Sequence, residues 1–196
     1  MDIVARAKAL IVSPKTEWPR IAAEPATTGG LFTGYAMILA AIPAIAGFIG
    51  VSVVGFSVRG QTFHLPASTA LFQAIVQYVL GLVGLWLFGK IIEMLAPTFG
   101  GTRDEVAAMK VAVYGATAVW LAGIFSLIPM IAVLGILGLY SLYLIYTGLP
   151  VLMRCPPEKA LVYTAAVVVC GIVITLLISG VSSWVLFRQH YIDVPL

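Results

Sequence analysis

Charge is scarce in this chain: eleven Lys and Arg and eight Asp and Glu among 196 residues, or 10%. A soluble domain of this size keeps most residues near water and cannot be built from so little polar material. Cysteine and histidine are rarer still, two of each. Cys155 and Cys170 would lie about 22 Å apart along a continuous helix, too far for a disulfide, and no CxxC or clustered His suggests zinc. His64 and His190 fall in separate polar segments with no carboxylate cluster beside them. Catalytic signatures are also missing. Ser52, Ser57 and Ser68 lack a GxSxG context, and there is no HExxH, Walker loop or GxGxxG with an acidic partner. Neither an enzyme nor a cofactor is expected. Cations and aromatics do not alternate as a nucleic-acid surface requires, so nucleic acid is not an expected partner either.

What fills the chain is apolar: 61% of residues, with a mean hydropathy of +1.07. The apolar residues gather into five long runs, at about 31–55, 69–95, 102–127, 131–153 and 160–187. Each is long enough to cross the roughly 30 Å of bilayer hydrocarbon. Pro97 with Gly100-Gly101, Pro129 and Pro156-Pro157 punctuate the runs, because proline cannot continue a helix ladder and glycine suits a turn. The polar stretch 57–68 reads as a loop. Thr102 and Glu105 have capping-box spacing at the start of the third run, and Pro43 would kink the first. The expected fold is all-α, a polytopic integral membrane protein with five transmembrane helices.

Residues 1–29 precede the first run. Ile3, Val4, Ala7, Leu10 and Ile11 share one helical face, apart from Asp2, Arg6 and Lys8, which is the pattern of an interfacial amphipathic helix and not of a signal peptide. Ser13 followed by Pro14 predicts a second short helix capped by the serine hydroxyl, with Trp18 and Ile21 on one face. Trp18 would then rest in the headgroup zone. The expected division is thus an amphipathic segment over 1–29 and a five-helix membrane domain over 30–196.

Orientation follows from the cations. If the amino terminus is cytoplasmic, the inner segments hold Arg6, Lys8, Lys15 and Arg20, then Lys90, Arg103 and Lys110, then Arg154 and Lys159. Only Arg59 and Arg188 fall outside. Such a bias predicts a cytoplasmic amino terminus and a carboxyl terminus across the membrane.

Several stretches resemble bacterial Yip1-domain proteins. They are Ser13-Pro14-Lys15 with Trp18 and Ile21, Phe99-Gly100-Gly101-Thr102 before the third run, and Leu139 to Leu149 in the fourth. The resemblance implies five spans, a bacterial inner (cytoplasmic) membrane location and no assigned enzymatic activity. Eukaryotic members are associated with Rab-type GTPases. This chain has only about 30 residues before its first span and lacks their Asp-Leu-Tyr-Gly-Pro motif, so GTPase binding is not expected. The expected role is to organise membrane proteins or lipids by helix packing. The bilayer, other membrane proteins or further copies of the chain are the partners.

Two groups of polar residues stand out as candidate sites for a ligand, a lipid or coupling. Lys90, Glu93 and Lys110 flank the turn between the second and third runs, where Glu93 and Lys110 could pair across the hairpin. The favoured reading of this group is structural: pairing near helix ends, where long side chains snorkel to water. Gln73 and Gln77, one turn apart, form a stripe with Gly81 and Gly84, as do Tyr140, Tyr143 and Thr147 on the fourth run; such stripes serve helix packing or line a polar path. The alternative role is therefore a small oligomeric transporter or channel for an ion, a proton-coupled solute or a lipid.

Overall fold

A computed structural model describes residues 2–58 and 61–192; side chains are described to Trp184, excepting 56–60. Arg59 and the side chains of Arg188 and His190 therefore lie outside the described residues. Two short helices open the chain, α1 (Ile3–Val12) and α2 (Pro14–Ala23). Five spans follow: Thr28–Val54, Ala67–Phe99, Glu105–Leu127, Pro129–Leu152 and Pro157–Trp184. The stretch expected as a loop after the first span carries two short antiparallel strands, β1 (Phe56–Val58) and β2 (Gln61–Phe63). Because the spans alternate in direction, this hairpin stands at the end of the bundle opposite α2.

The spans are not equivalent. In the third, 67% of the most apolar window is buried inside the protein, against 11–22% in the other four. It is also the least hydropathic span, and it is rich in alanine. The two facts have one cause. A helix surrounded by other helices gains little from large lipid-facing side chains, and small residues let neighbouring backbones approach. The large buried side chains of the core include its own Met109 and, from other spans, Tyr35, Leu144 and Tyr163. Large apolar side chains on the outer spans, such as Leu71, Val133 and Leu176, remain exposed, as a lipid-solvated surface requires.

Local details depart from the sequence expectations in instructive ways. The third span is capped by Asp104, whose carboxylate accepts from the Ala107 amide at 2.9 Å. Thr102 is instead drawn across to the loop after the fourth span, where its amide and hydroxyl donate to the Met153 carbonyl at 2.8 and 3.3 Å. Gly100 takes the left-handed conformation, φ +75°, that closes the helix end before this turn. Ser13 does precede α2, with Pro14 first in the helix, but its hydroxyl makes no cap. Asp2 caps α1 through the Val4 and Ala5 amides. The third and fourth spans include 3-10 stretches, Gly123–Leu127 and Pro129–Leu139, and the first includes π-helical turns at Phe32–Ala36 and Gly50–Val54.

The helices α1 and α2 form a hairpin against the bundle wall. Trp18, expected among headgroups, is fully buried, its ring against Gly148 and its indole N–H donating to Thr147 at 3.1 Å. A Cβ on Gly148 would stand 2.7 Å from the indole, so only glycine admits the ring. On α1, the Ile11 carbonyl accepts from the Tyr140 hydroxyl at 3.0 Å. Tyr140 is twelve residues before Leu152, about 18 Å along the helix from the end of the fourth span. The hairpin therefore reaches well up the flank of the spans.

A charged pocket between the amino-terminal hairpin and the bundle

Where the hairpin meets the first and third spans there is a cavity of about 1030 Å³. Arg6 of α1 is at its centre, with only 10% of its side chain exposed. It bonds the Glu17 carboxylate of α2 directly, and its second terminal nitrogen lies 2.5 and 2.6 Å from the two oxygens of Glu24. Burial opposes the charge on Arg6, but the hydrogen bond to Glu24 and the fields of Glu24 and Glu17 outweigh it and raise its pKa. The guanidinium also lies over the Tyr114 ring, 5.9 Å from its centroid. Arg20, at the rim, approaches Glu17 at 3.6 Å and is otherwise open to the outside, with 74% of its side chain exposed. Asp2 completes the wall from the start of α1.

Lys110 closes the floor. It is buried, and its ammonium donates to the carbonyls of Ile21 and Glu24 at 2.7 and 2.5 Å, the last turn of α2 and its C-cap. A cation there satisfies carbonyls that have no partner within the helix, and it faces the negative end of the helix dipole. The opposite wall is the flank of the first span at Gly30 and Gly34, and a Cβ on Gly34 would meet nothing within 4 Å. Tyr114 is nine residues into the third span, about 13 Å from its start. Charges at such a level are tolerated where they are paired or line a wet cavity.

The sequence-based candidates are thereby split. Glu93 and Lys110 do not pair. Glu93 accepts from Lys90 at 3.2 Å and from Arg103 at 3.1 Å, while Lys90 also reaches Glu105 at 3.0 Å. This cluster sits over the turn between the second and third spans, while Lys110 is bonded to the end of α2. Gln73 and Gln77 line a different cavity, about 730 Å³ and mostly apolar, walled by parts of all five spans; Gly81, Gly84 and Thr175 border it too. Tyr140 and Thr147 serve the hairpin, as described, while Tyr143 stacks obliquely on Tyr140.

The Arg6–Glu17–Glu24 network escapes a reading of α1 as an isolated amphipathic helix. A signal for it exists. Of only eight acidic residues, three (Asp2, Glu17 and Glu24) fall in the first 24 positions, and Glu17 and Glu24 are two helical turns apart.

The Yip1 domain profile matches residues 8–178, most of the chain. The chain belongs to the Yip1 domain family. Its Yip1 match begins within α1, so the hairpin and the pocket it closes are largely included. The chain is also 28% identical over 170 residues to Inner membrane protein YohC of Escherichia coli (strain K12), covering 84% of this chain and 87% of that protein. YohC of E. coli O6:H1 (strain CFT073) gives the same figures. No solved structure matches.

Proposed function

We propose that this Yip1-domain chain is a non-enzymatic protein of a bacterial inner membrane that organises lipids or other membrane proteins. Its amino terminus and the charged pocket face the cytoplasm, and its carboxyl terminus faces the periplasm. The pocket is the observation that carries the reading: a cavity of about 1030 Å³ beside the spans, lined by both acids and cations. The cation distribution and the relatives named as inner membrane proteins support the location. The test is a photo-crosslinking residue placed at Ala5 or Ala9, both on the pocket wall. In native membranes it should capture a discrete lipid or protein, a second copy of the chain included. A monomer that forms no adduct from either position would sink the proposal.

A second reading, transport, draws on the cavity beside Gln73 and Gln77, since two amides in an apolar chamber could bind a solute in passage. Liposomes holding the protein would then leak or exchange a solute, and Gln73→Leu with Gln77→Leu would abolish this. Lys110 takes no part in that path, being turned onto the carbonyls of α2.

A further inference from the structure

We infer that the pocket under the amino-terminal hairpin binds a phosphoethanolamine group carried by a membrane lipid; the inference rests on the proposed organising role and names its ligand. The argument begins with charge. Six charged side chains line the cavity, three acids (Asp2, Glu17, Glu24) and three cations (Arg6, Arg20, Lys110). Formal neutrality disfavours a purely anionic or a purely cationic ligand, because either would leave charges of its own sign facing it at close range. A zwitterion meets both.

The free hydrogen-bonding capacity sorts the two ends of that zwitterion. Arg6 is committed to Glu17 and Glu24, and Lys110 donates to two backbone carbonyls. Arg20, at the rim, meets Glu17 only at 3.6 Å and is 74% exposed, so it keeps donors to spare, and its planar guanidinium suits a phosphate. On the acid side, Asp2 caps α1 through Oδ1 alone, leaving Oδ2 to accept, and the Glu24 side chain is 45% exposed. These two carboxylates suit an ammonium with three donors. A choline group has no N–H to give them and is bulkier, so the primary amine is the better match.

The source is assigned by position. The cavity is flanked by the first span at Gly30 and Gly34, where open space adjoins Gly34. Along the first span the same flank continues with Met37 and Ile38, both exposed. A headgroup in the pocket could keep its acyl chains against this apolar flank, whereas a free solute would gain nothing from it.

The experiment uses the full chain in nanodiscs of mixed phosphatidylethanolamine and phosphatidylglycerol, with retained lipid counted by native mass spectrometry after transfer to detergent. Phosphatidylethanolamine should be enriched over phosphatidylglycerol. Arg20→Gln and Asp2→Asn should each reduce the enrichment about tenfold, the scale of one charge-assisted hydrogen bond. Both variants leave the bonds of Arg6 to Glu17 and Glu24 in place, and the amide introduced by Asp2→Asn still offers an oxygen to cap α1; an unchanged melting temperature verifies folding. Enrichment of phosphatidylglycerol, or variants that retain lipid like the wild type, would overturn the inference while leaving the organising role standing. Competition by free glycerophosphoethanolamine at equal concentration would overturn the lipid source. Lipid adducts at Ala5 and Ala9 distinguish these failures from failure of the proposed role itself.

Discussion

The Lys110 ammonium lies 2.7 Å from the Ile21 carbonyl and 2.5 Å from that of Glu24, so a cation in the third span holds the end of α2. Lys110→Met keeps the length and apolar stem of the side chain but removes the donors. Hydrogen bonds to a charged group contribute about 1.5–3 kcal/mol each. The expected result is a hairpin that opens more often, with trypsin cutting after Arg20 about tenfold faster in detergent. Unchanged cleavage would show that Lys110 does not hold α2.

Arg6 and Glu17 are both largely buried, and removing the Glu17 charge leaves Arg6 with Glu24 alone. Glu17→Gln is therefore expected to destabilise the docked hairpin by about 1.5–3 kcal/mol, the scale of one hydrogen bond to a charged group. Replacing both residues, Arg6→Met with Glu17→Leu, should recover a large part of that loss. Thermal unfolding of the two variants checks it, and a double variant worse than the single one would contradict the account.

Trp18 and Gly148 make a third, independent contact. Gly148→Val would drive side-chain atoms into the indole and should lower stability by about 1–3 kcal/mol, the usual scale of overpacking. In a Trp18→Leu background the same substitution should cost much less. A double-mutant cycle showing simple additivity would mean that the ring does not occupy that glycine.

These three contacts also show what the sequence conveyed and what it withheld. The spans were legible because hydrocarbon imposes a length and an apolar composition that few other environments require. Pro97, Gly100 and Pro129 marked their boundaries for backbone reasons that hold in any context. The caps were less legible: Thr102, Asp104 and Glu105 all suit a helix start, and only the proximity of Met153 diverted Thr102 elsewhere. The pocket was least legible. Periodicity places Arg6 and Lys110 on helix faces, but pairing Arg6 with Glu17 and Lys110 with α2 needs the folded-back hairpin, a contact across as many as 89 positions. The Glu93–Lys110 expectation failed for the same reason: two charges at one level of a hairpin can point to different neighbours.

Cys155 offers a test of the loop after the fourth span. It is 5% exposed, and burial pushes its thiol above the usual range. Because the thiolate is the reactive form, this upward shift lowers its population at neutral pH, and burial also keeps the reagent out. In a Cys170→Ala background, a water-soluble maleimide at neutral pH should label Cys155 at least about tenfold more slowly in the folded protein than after denaturation. Thr102→Ala, with the turn still held by its amide to the Met153 carbonyl, should change this rate little. Labelling as fast as that of a free thiol would place Cys155 in water and undo the packing described for that end of the bundle.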